Sequence, residues 1–143
     1  MNSCLFCEVA RGKISSEVVY EDEWTHAFLD IRPLAKGHTV IIPKKHYPTI
    51  FEVPDKEIGP LFLALKKVAE GVAESVHADG LTMGINHKEA SGQTVEHLHI
   101  HVIPRFHGDG GGSIHSVVHN PPAEPLREIG ERIRSVMNKK NTQ

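Results

Sequence analysis

The sequence lacks a long apolar run, carries only two cysteines and one tryptophan, and has no strong excess of either charge. No stretch approaches the roughly 18 consecutive apolar residues of a transmembrane helix. The start of the chain has no basic segment followed by an apolar one, so we expect no secretory signal. A formal net charge of −2 argues against a nucleic-acid-binding protein, which normally presents a basic face. These absences predict a soluble cytoplasmic protein with no nucleic-acid or membrane partner.

The length and composition fit one globular domain. A chain of 143 residues is too short for two ordinary domains. Its hydrophobic content of 39% and charged content of 24% lie near the globular average, which argues against disorder. We therefore predict one domain over residues 1–143, with a core at 4–109, a loop and helix at 110–137 and a frayed tail at 138–143.

The two cysteines, Cys4 and Cys7, have the spacing C-x-x-C. One pair without a signal peptide is not the disulfide framework of a small secreted protein. The pair is half of a metal site, a redox pair or incidental. The redox interpretation needs a strand before the first cysteine, and nothing in front of Cys4 supplies one.

Hydrophobic patterning predicts an α+β domain with a five-stranded antiparallel sheet and two helices. Short β-branched or alternating segments bounded by turns predict strands at 18–20, 25–29, 38–42, 81–86 and 96–105. Apolar residues at steps of three and four predict a helix from near Gly59, so that Pro60 lies in its first turn, to a glycine cap at Gly80. The same periodicity predicts a last helix from about Pro125 to Met137.

The segment from Glu96 to Arg105 alternates most cleanly and contains three histidines at every second position. Alternate side chains of a strand point the same way, about 6.5 Å apart, so His97, His99 and His101 share one side. Three titratable rings in a row indicate a functional site rather than three satisfied surface residues. Two chemistries fit this row: a metal site, or nucleophilic catalysis by a neutral imidazole with a neighbouring ring handling the proton.

The loop in front of this strand favours a phosphorylated substrate. Ser91-Gly92-Gln93-Thr94 offers closely spaced backbone N–H groups, a hydroxyl and an amide, which suit a phosphate. Loop and strand together favour an enzyme that acts on a phosphorylated small molecule. The other histidines, including His26, His77 and His119, are interpreted as ordinary surface or core residues.

The segment from Ser91 to Arg105 resembles the motif of the histidine triad (HIT) family, His-x-His-x-His preceded by Gly-Gln-Ser/Thr. The resemblance extends through Phe28-Leu29-Asp30-Ile31 and His38 to His46, back to Cys4-Leu5-Phe6-Cys7. It covers roughly residues 4 to 109 in family order. Family members are nucleotide hydrolases and transferases, usually homodimers in which two five-stranded sheets form one continuous sheet.

The resemblance implies a role for each matching residue. His99 is the nucleophile that becomes nucleotidylated, and His101 contacts the phosphate or leaving group and assists proton transfer. Thr94 and the Gly92-Gln93 backbone hold the phosphate with Asn86 nearby, Asp30 accepts from the ribose hydroxyls, and His38 orients the triad. A purine base pocket is implied for four apolar residues: Phe6, Ile14, Phe28 and Ile31.

The resemblance also implies a structural zinc ion in one branch of the family. Its ligands correspond here to Cys4, Cys7, His46 and His97. Four protein ligands leave no open position, so this ion is structural and no catalytic metal is expected. His97 is then a metal ligand rather than a reacting group.

The substrate and the class of protein stay open at this level. One branch of the family cleaves adenosine phosphoramidates and acyl adenylates, and Asn86 resembles the residue found at that position in this branch. Another branch cleaves dinucleoside polyphosphates, and the run from Pro104 to Asp109 resembles the corresponding segment of that branch. His107 or His115 is a candidate for the leaving-group pocket. Two alternatives to the nucleotide hydrolase stay open. One is a hydrolase with a catalytic metal ion bound by all three histidines, and the other is a zinc-stabilised nucleotide-binding or scaffold protein with little turnover.

Overall fold

The computed structural model of the chain describes residues 3–143. One compact unit extends to Gly111 and contains a five-stranded antiparallel sheet, and a second comprises Gly112–Gln143. The strands are β1 (Val18–Glu21), β2 (Thr25–Leu29), β3 (Thr39–Pro43), β4 (Gly80–Gly84) and β5 (Ile100–Arg105). The α-helices are α1 (Leu5–Ala10), α2 (Asp55–Val76) and α3 (Leu126–Asn141). The predicted α+β class and five-stranded antiparallel sheet are confirmed.

The sheet has the order β1-β2-β3-β5-β4, so that β5 lies between β3 and the edge strand β4. One face of the sheet packs against α2 through a buried cluster that includes Ala27, Ile41 and Ile100. The other face carries Phe28, Val40 and Ile42, against which Val9 of α1 packs. Both faces of the central strands are covered, which explains why β3 is buried at all five positions.

The prediction of two helices was wrong, because α1 is a third one. It has six residues, too few for a helical period to stand out in the sequence, and it has no side-chain cap. Burial of Cys7 and Val9 holds it in place, so its stability comes from tertiary packing rather than from local propensity.

Helix α2 begins and ends earlier than predicted. Its first residue is Asp55, and Pro60 therefore lies inside the helix, as the sixth residue rather than in the first turn. Asp55 and Glu57 place negative charge at the positive end of the helix dipole, which favours the earlier start. The left-handed cap is His77, with φ 54° and ψ 46°, and not Gly80, which begins β4.

Helix α3 also differs from its predicted bounds. It continues through Lys139 and Lys140 to Asn141, where a frayed tail was predicted from residue 138. Lysine is a good helix former, and positive charge in the last turn is favourable at the negative end of the helix dipole. Among residues 3–143, no helix is long and apolar enough to cross a membrane.

The predicted strand over 96–105 is shorter than expected, because β5 begins at Ile100. The His97 N–H bonds to the Val95 carbonyl in a local turn, and the Leu98 N–H donates to the carbonyl of Tyr47 at 2.6 Å. The segment carrying His97 and His99 therefore follows the loop after β3 instead of the sheet. Only His101 of the three histidines belongs to the strand.

Candidate active site and metal centre

Four side chains from three distant parts of the sequence converge at one end of the sheet. Cys4 and Cys7 come from α1 and its N-cap, His46 from the loop after β3, and His97 from the segment before β5. Their ligand atoms all lie within 4.8 Å of one another. Cys4 Sγ lies 3.3 Å from His97 Nδ1, and Cys7 Sγ lies 3.5 Å from Nδ1 of both imidazoles. The four residues are thus placed to hold a metal ion.

The donors of this cluster have the right chemistry for a tetrahedral ion. Metal–sulfur bonds of about 2.3 Å and metal–nitrogen bonds of about 2.0–2.1 Å put neighbouring sulfur and nitrogen ligands roughly 3.5 Å apart in a tetrahedron. The observed Sγ–Nδ1 separations of 3.3–3.5 Å agree with that spacing. Both cysteines are free thiols. The residues present therefore fit a Cys₂His₂ zinc ion.

The tautomer of His97 is set by a backbone carbonyl. His97 is fully buried, and its Nε2–H donates to the carbonyl oxygen of Pro43 at 2.8 Å. Burial lowers the pKa of His97 to about 4, so the ring is neutral at pH 7. Its Nδ1 lone pair therefore points at the two cysteine sulfurs. Burial, together with the neighbouring Cys4, raises the pKa of the Cys7 thiol to about 11, and a divalent cation at the site would reverse that shift.

His99 is oriented by the same segment. Its Nδ1 lies 2.7 Å from the His97 carbonyl oxygen, which can only accept, so Nδ1 carries the proton. In the neutral ring Nε2 then has a free lone pair. The edge of Phe6 packs against the ring, with centroids 5.1 Å apart, and His101 lies on another side at 5.2 Å. A buried, fixed imidazole with a free lone pair is a suitable nucleophile.

His38 and His101 form a hydrogen-bonded pair, and the ring of His101 lies beside that of His99. Nδ1 of the buried His38 accepts from the backbone N–H of Leu34 at 3.1 Å, so its Nε2 carries the proton. That Nε2–H donates to Nδ1 of His101 at 2.9 Å and lies 3.6 Å from an Asp30 carboxylate oxygen. His101 is left with a proton on its own Nε2. Burial lowers the pKa of both His38 and His101, although Asp30 opposes the shift, so both rings are neutral near pH 7.

The three motif histidines do not converge on one point. Within residues 3–143, His97 belongs to the cluster with Cys4 and Cys7, whereas His101 groups with Asp30 and His38. In the Asp30/His38/His101 group, both nitrogens of His38 and Nδ1 of His101 are engaged in the bonds just described, and a metal ion between the two rings would have to displace the proton that they share. This geometry opposes the hypothesis of a catalytic ion on all three histidines.

The loop before His97 is held by the side chain of Gln93. Its Nε2–H₂ donates to the carbonyls of Pro48 and Val95, and its Oε1 accepts from the Lys88 N–H at 2.7 Å. Gly92 has a φ of +95°, which a side chain would disfavour, and it lies next to the Asn86 amide. Thr94 is exposed. The predicted phosphate residues therefore lie in one ordered loop.

The predicted base-pocket residues are partly assembled. Phe6 packs edge-on against Phe28, with ring centroids 5.7 Å apart, and also against His99. Ile14 and Ile31 are exposed, Ile31 to 87%. Asp30 accepts from the Arg32 N–H through Oδ1, which leaves Oδ2 facing His38. His107 lies in the unit ending at Gly111, where its N–H bonds to Asp79, and His115 is exposed in the second unit.

Sequence reasoning missed the backbone groups that orient the imidazoles. The Pro43 carbonyl, the His97 carbonyl and the Leu34 N–H decide which nitrogen of each ring is protonated. Every residue has a backbone carbonyl, and every residue except proline has a backbone N–H, so no residue type marks them. Glu57, a buried carboxylate on α2, was also missed, because it lies before the predicted start of the helix near Gly59 and an acidic residue gives no sign of burial in the sequence.

Comparison with known proteins gives a consistent family match. The HIT domain family model matches residues 11–108. The chain is 46% identical over 107 residues to an uncharacterized HIT-like protein of Methanocaldococcus jannaschii, covering 75% of this chain and 82% of that one. It is 39% identical to Protein hit of Bacillus subtilis, covering 92% of both chains.

A third relative carries an activity in its name. Adenylylsulfatase HINT3 of Arabidopsis thaliana is 35% identical over 108 residues, which are 76% of this chain and 55% of that protein. This chain therefore spans only about half of that relative.

Solved structures agree. A HIT family protein from Bacillus subtilis has a TM-score of 0.83 at 35% identity and covers 96% of each chain. A zinc-bound histidine triad family protein from Mycobacterium smegmatis has a TM-score of 0.71 at 32% identity, covering 98% of this chain and 96% of that one.

Proposed function

The chain belongs to the HIT domain family, and from this premise we propose that it is a nucleotide hydrolase that releases a nucleoside 5′-phosphate through His99. The observation that carries the proposal is the bond from His99 Nδ1–H to the His97 carbonyl. It leaves Nε2 with a lone pair in a ring whose orientation is fixed. The proposed substrate is a purine nucleotide from which AMP is released.

The proposed reaction consists of two displacements at phosphorus. In the first, His99 Nε2 bonds to phosphorus while the bond from phosphorus to the leaving group breaks, and the leaving group takes the Nε2 proton of His101. In the second, the oxygen of a water molecule bonds to phosphorus, the phosphorus–nitrogen bond to His99 breaks, and the proton lost by the water returns to His101, which frees His99 and the nucleoside monophosphate. Because both steps use the same pentavalent geometry, the loop from Asn86 to Thr94 serves both.

His101 and His38 supply the proton chemistry in this proposal. His101 offers Nε2–H because its Nδ1 is occupied by His38. That donor is suited to the phosphate or to the departing atom. Asp30 is proposed to accept from the ribose hydroxyls, and Phe6 and Phe28 with Ile14 and Ile31 to contact the base.

The Cys4, Cys7, His46 and His97 cluster is proposed to hold a structural zinc ion. A bound zinc would tie α1 to the segment carrying His99, whose Nδ1 bonds to the carbonyl of a ligand. The free thiols fit a reducing compartment, which supports the proposed cytoplasmic location. The proposed catalytic residues all lie within 4–109, which we retain as the core of the domain.

The test measures AMP release from adenosine 5′-phosphoramidate, diadenosine tetraphosphate and adenosine 5′-phosphosulfate without added metal. The third substrate is included because a relative is an adenylylsulfatase. We expect turnover of at least one substrate, lost on His99→Ala and kept on His119→Ala, an exposed histidine in the second unit. Turnover that survives His99→Ala would contradict the covalent mechanism. A folded, nucleotide-binding protein with no turnover would favour the scaffold alternative.

We also propose a homodimer through the edge strand β4 and helix α2. An apolar groove of about 460 Å³ lies between them. Its lining is mostly apolar, with Phe62, Leu65, Ala69, Ala73, Leu81 and Met83 beside the charged Lys66 and Glu70. An unpaired strand edge beside such a groove suits a continuous sheet across two copies.

Two adjacent residues of α2 offer a matched test of the dimer. Phe62 lines the groove, whereas Leu63 is 63% exposed and does not. We expect Phe62→Glu to produce monomers in sedimentation velocity and Leu63→Glu to leave the dimer intact. A monomeric unmodified chain, or a dimer that tolerates Phe62→Glu, would contradict the proposal.

A further inference from the structure

The four residues of the Cys/His cluster differ in how firmly the chain holds them. Cys4 and Cys7 belong to α1 and its cap, and His97 is buried and bonded to the Pro43 carbonyl. His46 is exposed and lies in an irregular loop between β3 and α2. Its side chain contacts the cluster through Nδ1, 3.5 Å from Cys7 Sγ. The position of this donor therefore depends on what holds the loop.

Both sequence neighbours of His46 bond to one carboxylate. Lys45 Nζ lies 3.1 Å from Glu57 Oε1, and the Tyr47 hydroxyl donates to Glu57 Oε2 at 2.8 Å. Glu57 lies in the first turn of α2 and is only 5% exposed. The two oxygens of one buried carboxylate thus hold the residues on either side of the exposed donor.

A buried carboxylate is costly unless it is well paired, so its partners are held firmly. Burial opposes ionisation, but the bonds from Tyr47 and Lys45 outweigh it and keep the pKa of Glu57 below its ordinary value. The carboxylate is ionised at pH 7, and both bonds are charge-assisted. Glu57 is itself fixed by the helix, because its N–H bonds to the Pro54 carbonyl at 2.8 Å.

The same loop is connected to the segment that carries His97 and His99. The Tyr47 carbonyl accepts from the Leu98 N–H at 2.6 Å, and Pro48 accepts from Gln93. These bonds hold the backbone after His46. The side-chain bonds to Glu57 hold the residues directly on both sides of it.

We infer that Glu57 is a positioning residue for the metal centre, which holds His46 in place for zinc through Lys45 and Tyr47. This inference rests on the zinc site proposed above and adds to it a residue whose carboxylate bonds to both sequence neighbours of one ligand. Glu57 acts by holding His46 in its binding position before the ion arrives. Without Glu57, His46 must become ordered when zinc binds, and because this ordering costs free energy, the affinity for zinc falls.

The first experiment measures the zinc affinity of the full chain by competition with a chromogenic chelator. Glu57→Leu removes both bonds. Tyr47 is half-buried and Lys45 is exposed, so both side chains can then hydrogen-bond to water. We expect a loss of about 10-fold or more in zinc affinity. Glu57→Gln keeps one acceptor oxygen for Tyr47, and we expect it to restore part of that loss.

A double-mutant cycle with His46→Ala separates positioning from general stability. If Glu57 acts through His46, Glu57→Leu has no further effect on zinc affinity once His46 is gone. Val68→Ala, a truncation of a buried residue eleven positions after Glu57 in α2, is the control for reduced stability. We expect its zinc affinity to stay within twofold of that of the unmodified chain.

Cobalt substitution provides a spectroscopic readout. Cobalt(II) on two thiolates and two imidazoles gives the strong visible bands of a tetrahedral site, and loss of His46 changes them. We expect Glu57→Leu to move the spectrum toward that of His46→Ala, and Val68→Ala to leave it unchanged.

The outcomes distinguish the two proposals. An unmodified chain that binds no zinc would refute the metal site and this inference with it. Tight zinc binding by both the unmodified chain and Glu57→Leu would refute the role of Glu57 alone. Additive effects of Glu57→Leu and His46→Ala would likewise overturn it, because the carboxylate would then act through something other than His46.

Discussion

Nε2 of His38 lies 2.9 Å from Nδ1 of His101, although the two residues are 63 positions apart. The Leu34 N–H bonds to the other nitrogen of His38, so the proton between the rings belongs to His38. One backbone amide therefore decides which nitrogen of His101 can donate to a substrate.

Replacement of His38 tests this relationship. His38→Leu removes the donor to His101 Nδ1, so we expect kcat for AMP release to fall about 10- to 100-fold with little change in KM. His38→Gln keeps an N–H near the position of Nε2, and we expect it to recover part of the rate. A kcat for His38→Leu within twofold of the unmodified value would contradict this role.

The pH dependence of turnover should reflect the neutral histidines. Burial lowers the pKa of both His38 and His101, and the proposed proton path needs both rings neutral. Protonation of these two rings is therefore expected to reduce activity only below pH 6.5, as the pH passes the lowered pKa values. The measurement is kcat between pH 4.5 and 8 for the unmodified chain and for His38→Leu, after subtraction of the rate with His99→Ala. An acid limb at or above pH 6.5 that is present in the unmodified chain and absent from His38→Leu would contradict the expectation.

Buried His26 predicts a pH-dependent stability. Its ring is 4% exposed, packs beside Phe28, and neither nitrogen has a hydrogen-bond partner among residues 3–143. Burial lowers the pKa of His26. Of the charged groups near the ring, Glu21 raises this pKa and Lys44 lowers it further. The unfolded chain binds a proton near pH 6.5, so this stability is full above 6.5 and is lost as the pH falls toward the lowered pKa.

The corresponding variant is His26→Leu, which fills the site without polar nitrogens. We expect the free energy of unfolding to rise by about 1 kcal/mol at pH 7.5 and by more at pH 5.5. Urea denaturation of the zinc-saturated chain at both pH values checks this. An equal gain at both values would show that His26 does not titrate as its burial implies.

Lys88 holds a backbone conformation that favours glycine. Its φ is 64° and ψ 174°, and its N–H is held by Gln93 Oε1. Because the side chain is exposed, Lys88→Gly loses no packing and relieves strain; we expect a net gain of about 1 kcal/mol in the free energy of unfolding. Lys67→Gly, at an exposed helical position, is the control and should lose about 1 kcal/mol. A loss at Lys88 as well would contradict the assignment of strain.

The sequence predicted those elements whose pattern is local. Alternation and turn residues marked the strands, and the steps of three and four marked α2, because side chains on a regular backbone repeat at fixed intervals. Helix α1 escaped notice since six residues show no period and its stability comes from Val9 packing on the sheet. The late start of β5, at Ile100, escaped notice too, because the Leu98 N–H bonds to the Tyr47 carbonyl rather than to a neighbouring strand.

The candidate site divides in the same way. The types and order of its residues stand in the sequence, and the family motif was recognised there. Which nitrogen of each imidazole carries a proton was decided by the tertiary structure alone, through the carbonyls of Pro43 and His97 and the N–H of Leu34. Backbone groups are the same in every residue, so only folding determines which ring they meet. The bond between Glu57 and the neighbours of His46 joins a helix to a loop, and no local pattern of either segment contains it.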